Sequence, residues 1–491
     1  MSALKTVWAA CIVAFVLGAA ASEMGHPELS NDSAEYDSIA QHMAAGDGFL
    51  TDLKLYLCNP GPVRHSAMGE RQPAYPAALA LGPAELVVPL LAGLALAAIV
   101  ALAGGLFGAA AAWICVPVVV LGPALVGADT VVGPTGMYIM WLALFVLAAN
   151  AAMKDLRWSL AVGLLWALMA LTRGEGMLVG VAALIWLGVN RSWKALAVSL
   201  GVFILAMIPY FAFNAHVTGS AFTSLSSLHM KVRTFGECMW YGYGLKLPST
   251  MQFLSRNLKY AVGLSVRNFL VYALSLLRLS WLGAGIAVLA YAVATDRKSW
   301  PKEGLILPIV GGMQCFAIAS MWSTTSGRAE PEHLAPPLLA LAIPAVGWAI
   351  WKASREKAWV AVMIAAVLLA TYAGSHFVRG GEASSTATEL ASYAPAADGP
   401  GREIGSDDVI AADHPWPVWW QARRPIVLLP RRLSAEEQVR FLREYQVRAI
   451  VAWPSEAKPW MGLPGVRVIF MDKRGGAVAL SVDQSALPRS P

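Results

Sequence analysis

Charged residues are scarce in this chain. Only 14% of its 491 residues are Asp, Glu, Lys or Arg, and 57% are hydrophobic, whereas soluble proteins average about 25% charged residues. This composition excludes an ordinary soluble domain and predicts an integral membrane protein. The net charge of +6 does not indicate a nucleic-acid partner, because the Lys and Arg residues lie mainly in short loops between apolar runs, where they determine membrane orientation.

Cysteine is scarce as well, and nucleotide-binding motifs are absent. The five cysteines form no C-x-x-C pair, and no group of His and Cys residues has the spacing of zinc ligands. A structural metal site is therefore not expected. No Gly-rich phosphate loop occurs, so ATP binding is not indicated. We predict no metal site and no resident cofactor, and the sequence leaves assistance by a divalent metal open.

Long apolar runs dominate what remains. The first, "LKTVWAACIVAFVLGAAAS", has the Lys, apolar core and small residues of a cleavable signal peptide. About 18 apolar residues can also cross a bilayer, and we favour an uncleaved span. With the later runs, the chain is predicted to contain about 11 transmembrane helices. These later runs lie near residues 76–103, 105–125, 132–151, 157–172, 175–189, 195–213, 268–294, 304–322, 334–351 and 357–375.

The loops between these runs alternate in basic content. With the N-terminus inside, every second loop is cytoplasmic and basic, as the positive-inside rule requires. The same count places outside the first loop (23–75), a long loop (214–267) and the C-terminal tail. Six basic residues in the long loop weaken this assignment without overturning it, because long loops follow the rule poorly. Cys58 and Cys238 fall in the two outer loops, where a disulfide between them could form.

Part of the basic content of the long loop belongs to a predicted interfacial helix, "MQFLSRNLKYAVGLSVRNFL". On a helical wheel Arg256, Lys259 and Arg267 fall within about 80° of one another. Two interpretations stay open for this basic face. It could lie on anionic headgroups of the bilayer, or it could also bind the phosphate of a lipid substrate.

The composition changes after residue 376. Residues 1–376 are predicted to form the transmembrane domain, 377–404 a linker rich in Gly, Ser, Pro and Ala, and 405–491 a small soluble α/β domain. In this last segment "DVIAAD", "PIVLLP", "VRAIVAWP" and "VRVIFMD" are strand-like. Between them, "SAEEQVRFLREYQ" is typical of a helix that Ser434 caps, with Glu437 three residues later. The predicted fold class is a mainly α polytopic membrane protein with this α/β domain on the extracytoplasmic face.

Acidic residues are concentrated directly after the first span, in "NDSAEYDSIAQHMAAGDGF". An apolar stripe at helical spacing (Tyr36, Ile39, Ala40, Met43) predicts a short amphipathic helix that packs on the membrane domain and stops at the following glycines. Asp32 and Glu35 have the spacing of a capping box, so both carboxylates could simply satisfy amide groups at the helix start. The alternative is that they carry chemistry.

Cations on the same predicted outer face favour the second interpretation. Charges at span ends are individually explained by snorkelling, because burial at the bilayer centre costs about 2.5–3.5 kcal/mol on insertion scales. Carboxylates that face several cations at one membrane surface, however, suit chemistry on an anionic lipid headgroup. The cations at the outer span ends are Arg71, Arg173, Arg328 and His333.

The order of several short motifs resembles the GT-C membrane glycosyltransferases of the protein O-mannosyltransferase and aminoarabinose transferase type. The resemblance covers nearly the whole chain through degenerate motifs. It implies a polyprenyl-phosphate sugar as donor, an acidic residue of the first extracytoplasmic loop as catalytic base, and the bacterial plasma (inner) membrane as location. The motifs are "DSAEYDSIAQHMAAGDGF", "RQPAYPAALAL", "ALMALTRGEGML", "IPYFAFNAHVTGSAF", "GRAEPEHLAPPLLALA" and "VIAADHPWPVWWQARRPIVLLP".

By this resemblance Asp32 corresponds to the catalytic base and Tyr36 to its aromatic follower, while Arg71 and Pro73 match a charged motif at the start of the second span. Transfer of a sugar from a lipid phosphate needs such a base for the acceptor hydroxyl and cations for the departing phosphate. Because Arg can bind phosphate bidentately, Arg71 and Arg328 are the preferred ligands. Further candidates are His333, Arg173, Arg256 and Lys259. Glu35 could orient the acceptor or only cap the helix.

One departure concerns a second acidic residue that many relatives have at the outer start of the fourth span, where this chain has Pro134 and Thr135. The acceptor, a protein, lipid or glycan, is not specified by the sequence. Two other functions stay open: a transporter or flippase of lipid-linked saccharides, and an inactive scaffold. A transporter predicts charges within spans and internal symmetry, whereas this chain concentrates its polar residues in loops.

Overall fold

The structure is a computed structural model of the whole chain. It describes residues 3–24, 31–58, 61–120, 133–223, 243–244, 248–278, 300–321, 331–354, 357, 359–361, 363–364, 391–397, 405, 407–471 and 476–488. Two compact units divide the chain. Unit 1 comprises Met1–Pro27, Gly69–Ser227 and Leu254–Arg379, and unit 2 comprises Glu28–Met68, Leu228–Phe253 and Gly380–Pro491.

Unit 1 is helical in the residues that the structure describes. Its helices are α1 (Ala3–Met24), α3 (Ala74–Leu79), α4 (Ala84–Phe107), α5 (Ala109–Val120), α6 (Thr135–Ala152), α7 (Trp158–Thr172), α8 (Gly176–Val179), α9 (Val181–Val189), α10 (Trp193–Thr218), α11 (Thr250–Arg278, with its first turn in unit 2), a 3-10 helix (Lys302–Leu305), α12 (Ile306–Met321) and α13 (Pro331–Ala353).

Six helices in the described residues are long and apolar enough to cross a membrane. Three shorter apolar helices, Ala109–Val120, Trp158–Thr172 and Gly176–Val189, accompany them. The chain is thus a mostly helical, multi-pass membrane protein. The count of about 11 spans stays a prediction, since most of the runs near 268–294 and 357–375 lies outside the described residues. The six candidate spans are Ala3–Glu23, Ala84–Phe107, Thr135–Ala152, Trp193–Thr218, Lys302–Ala319 and Pro336–Ala353.

The first helix packs closely along α4. A side chain at Gly93 or at Gly104 would collide with Phe15 or Val7 of α1, respectively. Without a hydrophobic driving force between helices in lipid, small residues that allow close backbone approach hold transmembrane helices together. The glycines of α4 therefore make α1 part of the helical bundle of unit 1.

Unit 2 is built on a six-stranded sheet, and its strands are short. They are β2 (Leu53–Lys54), β4 (Val409–Ala412), β5 (Ile426–Leu428), β6 (Val447–Ala452), β7 (Val466–Met471) and β8 (Val478–Val482), in the order β2-β5-β4-β6-β8-β7. A separate ladder pairs β1 (Leu50–Thr51) with β3 (His65–Ser66). The helices of this unit are α2 (Asn31–Ala45), a helix over 391–397 that we call α14, α15 (Pro415–Ala422), α16 (Ala435–Glu444) and α17 (Pro454–Ala457).

The first four strands of this order run parallel, and β6, β8 and β7 pair antiparallel. After β4 the chain crosses through α15 to β5 on one side, and then through α16 to β6 on the other side. The order therefore reverses at β4, which creates a switch point at the carboxyl ends of β4 and β6.

The helix α16 confirms the predicted cap. The Ser434 hydroxyl accepts from the Glu437 backbone N–H, and the Glu437 carboxylate accepts in turn from the Ser434 N–H at 2.9 Å. Val439, Phe441 and Leu442 of this helix pack into the core beneath the sheet, together with residues of β5, β6 and β8. The local capping rule and the apolar face together account for this element.

The grouping of residues 28–68 differs from the predicted domain boundaries. The sequence places this segment in the transmembrane domain 1–376, whereas the structure groups it with the tail in unit 2. The physical reason is β2, which pairs in parallel with β5, with Leu53 opposite Ile426. The N–H of Ile426 also donates to the carbonyl of Asp52 at 2.8 Å. The segment thus supplies one edge of the sheet.

Candidate functional site

The two candidate carboxylates lie at the start of α2. This helix begins at Asn31 and ends at Ala45, where Gly46 takes up a left-handed φ of 86°. Asp32 stands in the first turn, where the positive end of the helix dipole favours an anion, and its side chain is half-buried. Glu35 is fully buried, at 0% exposure. Asp32 is therefore the more accessible of the two carboxylates.

The packing of α2 is confirmed for most of its predicted stripe. Tyr36, Ile39 and Ala40 are buried, whereas Met43 is partly exposed. Within unit 2, α2 contacts α15 and the strands β1 and β2, and packing of the stripe on the membrane domain stays a prediction. The helix that carries Asp32 is thus a component of the α/β unit.

A chain of ionic contacts connects α2 to the segment that follows it. Ring nitrogens of His42 lie 2.9 Å from Asp47 and 3.1 Å from Asp52. The other carboxylate oxygen of Asp52 accepts from Arg64 Nε at 2.6 Å, and this hydrogen bond raises the pKa of Arg64. The backbone N–H of Asp52 donates to the Ser38 hydroxyl at 2.9 Å. These contacts fix the middle of α2 against β2.

Arg71 lies in unit 1, in a turn that packs against the end of α10. It is buried at 5% exposure, next to the equally buried Glu70, and it precedes Pro73, the N-cap residue of α3. Gly69, with φ 79°, opens this turn, and a side chain there would press on Thr218 and Thr223. The motifs "GERQPAYP" and "NAHVTGSAF" therefore meet in space, because glycine allows the close approach.

Arg173 lies at the end of α7 in a buried ion pair. Its Nε bonds to the Glu175 carboxylate, and the two side chains are 8% and 6% exposed. Its Nη1 donates to the Thr135 hydroxyl at 2.8 Å, and its guanidinium stands 5.8 Å from the centre of the Tyr138 ring. The short α8 begins at Gly176, where a side chain would collide with the backbone of Met169. This tight turn holds Glu175 against Arg173.

The remaining candidates are less well defined. Arg256 and Lys259 are exposed on α11. His333 lies in the first turn of α13, and its side chain is not described; Arg328 falls outside the described residues. The proposed base and its neighbour Glu35 belong to unit 2, and the described arginine and lysine candidates belong to unit 1. All these roles stay predictions.

The predictions about a metal site and a disulfide involve some residues that the structure describes and others that it does not. In the described ranges, no three His, Cys, Asp or Glu side chains cluster as metal ligands, and the absence of a cofactor stays a prediction. Cys58 is buried, and its predicted partner Cys238 lies outside the described residues.

Sequence reasoning missed the partners of the candidate residues. Glu175 stands only two positions from Arg173 in "TRGEG", and this spacing was an available signal for the pair. Asp37 and Arg423, which bond across 2.6 Å, are distant in sequence, so no local pattern identifies them.

No protein-family model and no curated protein sequence matches the chain. Solved structures do match it. ArnT from Cupriavidus metallidurans bound to undecaprenyl phosphate is similar with a TM-score of 0.59 and 16% identity, over 99% of this chain and 98% of that one. The archaeal oligosaccharyltransferase AglB from Archaeoglobus fulgidus, in complex with an inhibitory peptide and a dolichol-phosphate, is similar with a TM-score of 0.52 and 12% identity. The match covers 99% of this chain and 75% of that one.

The arabinofuranosyltransferase AftD from Mycobacteria is similar with a TM-score of 0.50 and 14% identity, over 98% of this chain and 42% of that one. All three are glycosyltransferases of the GT-C superfamily. At such identities the likeness concerns the fold. The chain has the GT-C fold over nearly its whole length, as the motif resemblance implies.

Proposed function

We propose that the protein is a membrane glycosyltransferase that moves a sugar from a polyprenyl-phosphate donor to an acceptor on the extracytoplasmic side of the plasma membrane. The observation that carries this proposal is the GT-C fold shared along 99% of the chain with a structure bound to undecaprenyl phosphate. Function lies in sites rather than folds, so the chemistry must come from the residues of this chain.

Asp32 is assigned as the general base. In the transfer, Asp32 accepts the proton of the acceptor hydroxyl, the acceptor oxygen bonds to the anomeric carbon, and the bond between that carbon and the phosphate oxygen breaks. In the first turn of α2 the helix dipole favours an anion, and the half-buried carboxylate is reachable. Single displacement inverts the anomeric centre, which is an implication of the resemblance.

Cations are assigned to the departing polyprenyl phosphate. Arg71 and Arg328 are the preferred ligands, because guanidinium binds phosphate bidentately, and His333, Arg173, Arg256 and Lys259 are further candidates. Arg173 forms a buried ion pair with Glu175 and stays among these further candidates. Glu35, fully buried, is assigned to orienting the acceptor, with a role as helix cap as the alternative. No nucleotide is required for this chemistry, and assistance by a divalent metal stays open.

The test measures release of polyprenyl phosphate by the purified protein. A panel of polyprenyl-phosphate sugars is supplied together with a cell-envelope extract as the source of protein, lipid and glycan acceptors. Wild type is compared with Asp32→Asn and with the control Asp407→Asn, whose side chain is 88% exposed. We expect release by wild type and control, and its loss in Asp32→Asn, by about 10²–10⁴-fold for a general base.

Other outcomes select the alternatives. Equal release by wild type and Asp32→Asn would return Asp32 to the role of a residue that stabilises the helix start. Absence of release from all donors, with folding verified by thermal unfolding, would favour a transporter of lipid-linked saccharides or an inactive scaffold. A vesicle assay of lipid-linked saccharide flipping then separates those two.

A further inference from the structure

An ion pair connects the C-terminal tail of the chain to α2, the helix that carries Asp32. Nη1 of Arg423 donates to Oδ2 of Asp37 at 2.6 Å, although the two residues are 386 positions apart in sequence. The same Asp37 oxygen accepts from Gln41 at 3.0 Å. Asp37 is 17% exposed and Arg423 41% exposed, so the pair is partly screened from water, which strengthens a charge-assisted hydrogen bond.

The guanidinium of Arg423 is also restrained by aromatic contacts within its own helix end. Its guanidinium lies 4.2 Å from the ring centres of both Trp419 and Trp420, which are themselves 5.4 Å apart. A planar cation over aromatic faces is held by cation–π attraction. Two indoles therefore leave the guanidinium little rotational freedom, and its direction toward α2 is set by α15.

The backbone conformation of Arg423 is a further sign that its contact with Asp37 is specific. The residue ends α15 with φ 50° and ψ 48°, and its N–H donates to the carbonyl of Trp419 at 2.8 Å. Glycine normally occupies such a left-handed helix end, because a side chain is disfavoured there. An arginine that keeps a disfavoured conformation while its side chain makes a specific contact points to a functional constraint.

The contact at Asp37 differs from the contacts of Ser38 and His42. Ser38 and His42 tie the helix to Asp52, which belongs to the same segment of chain. At Asp37 a charged side chain of the tail reaches the helix, about 7.5 Å along the axis from Asp32 at 1.5 Å per residue. A loosened contact at Asp37 would let α2 tilt and displace its first turn.

We propose that Arg423 is a positioning residue for the base: through Asp37 it holds α2 in the orientation in which the Asp32 carboxylate reaches the acceptor hydroxyl. The inference rests on the proposed function. It assigns to the tail a role in the reaction, because Trp419, Trp420 and Arg423 all belong to it. A displacement of about 1 Å can lower a rate about 100-fold, so a modest tilt is sufficient.

The experiment compares Arg423→Gly, Arg423→Lys, Asp37→Asn and the exchange Asp37→Arg with Arg423→Asp. Because glycine readily adopts the left-handed backbone conformation, Arg423→Gly removes the ion pair with Asp37 without straining the end of α15. The control is Arg440→Gln, since Arg440 forms an exposed pair with Glu436 on α16. Donor KM and kcat are measured for each variant, and hydrogen exchange is followed in α2 and in β6 of the same samples.

We expect Arg423→Gly and Asp37→Asn each to lower kcat about 10-fold with donor KM within about twofold. A double variant that combines Arg423→Gly with Asp37→Asn should be no slower than either single variant, because both substitutions remove the same contact. Arg423→Lys should be intermediate, since it keeps the charge without the planar group. The charge exchange should recover part of kcat. Exchange protection should be lost in α2 and retained in β6, and Arg440→Gln should match wild type.

Hydrogen exchange separates the two possible failures. If α2 loses protection in Arg423→Gly while kcat stays at the wild-type value, the positioning role is overturned and the transferase stands. If α2 keeps full exchange protection in Arg423→Gly, the inference that Arg423 holds α2 in place is refuted. If wild type releases no polyprenyl phosphate, the proposed function fails, and exchange in α2 still decides whether Arg423 holds the helix.

Discussion

The backbone N–H of Trp453 donates to Oδ2 of Asp413 at 3.0 Å, and this bond joins the carboxyl ends of the neighbouring parallel strands β4 and β6. The other carboxylate oxygen accepts from the Tyr393 hydroxyl at 2.8 Å and from the N–H of His414 at 2.9 Å. In open α/β sheets the switch point between such strands commonly binds a ligand. Here a buried carboxylate with three donors ties α14, β4 and β6 together.

Replacement of Asp413 should destabilise unit 2. In Asp413→Asn the side-chain NH₂ necessarily faces at least one of the three donors, which leaves a buried group unsatisfied and costs about 1–3 kcal/mol. Thermal unfolding in detergent measures the change. Asp407→Asn, at an 88% exposed side chain, is the matched control and should stay within about 0.5 kcal/mol of wild type. Equal stability of the two variants would contradict the argument.

The same residue predicts a pH dependence. Burial raises the pKa of the Asp413 carboxyl above its ordinary value of 3.8, and the hydrogen bonds from Trp453, Tyr393 and His414 oppose this rise only in part. The folded state therefore binds this proton more tightly than the unfolded chain. Its contribution to stability is fully present below pH 3.8 and is lost as the pH rises through the raised pKa. Denaturant unfolding of wild type and Asp413→Asn at successive pH values should show their difference shrinking upward from about pH 4.

The buried ion pair in unit 1 predicts a larger effect. Glu175→Gln removes the carboxylate charge that pairs with the buried Arg173 guanidinium, and breaking a buried ion pair in this way costs about 3–5 kcal/mol. Replacement of both residues by Met should restore much of the loss, since no uncompensated charge remains. The exposed pair of Glu436 and Arg440 provides the control, because Glu436→Gln should change stability by less than about 1 kcal/mol. Unfolding temperatures of the four proteins decide the matter.

Two glycines give opposite expectations for the same substitution. Gly176→Ala would force a methyl group against the backbone of Met169, and such overpacking costs about 1–3 kcal/mol. Gly201, in the interior of α10, has no atom within 4 Å of a new methyl group, so Gly201→Ala should stabilise the helix by about 0.5–1 kcal/mol. Unfolding temperatures measure both shifts, and a Gly176→Ala variant as stable as wild type would show that the turn at Gly176 has room for a methyl group.

Arg71 allows a test of phosphate binding apart from catalysis. A charge-assisted hydrogen bond contributes about 1.5–3 kcal/mol, so Arg71→Gln should weaken binding of free polyprenyl phosphate roughly 10- to 100-fold. Arg71→Lys should lose less, because it keeps the charge but not the bidentate geometry. Calorimetric titration in detergent measures both, with Arg440→Gln as control. Unchanged affinity in Arg71→Gln would remove Arg71 from the set of phosphate ligands.

Elements determined by local rules were accessible from the sequence. The cap at Ser434 and Glu437 follows from neighbouring residues, and the apolar runs near 132–151 and 195–213 are the helices Thr135–Ala152 and Trp193–Thr218. The end of α2 was equally visible, because Gly46 accepts a left-handed φ without strain. In each case one short stretch of chain contains both the cause and the result.

Non-local contacts were not accessible. Leu53 and Lys54 form a strand of only two residues, too short for an alternating pattern, and its partner is made at the other end of the chain. The candidate Asp32 could be singled out because it lies among carboxylates after an apolar run. The ion pair that holds its helix could not be predicted from the sequence, since the bond between Asp37 and Arg423 depends on where α15 and α2 meet after folding.

The parallel pairing of β2 with β5 has a consequence for biogenesis. Asp37 and Arg423 are 386 residues apart, so at about 5–20 residues per second roughly 20 to 80 s pass between their syntheses. During this interval every apolar helix between them is made, while the sheet edge at Leu53 has no strand to pair with. If the tail orients α2 as inferred, a ribosome that stalls before Ile426 leaves an inserted chain without the contacts that orient Asp32, and activity becomes a marker of translation beyond this point.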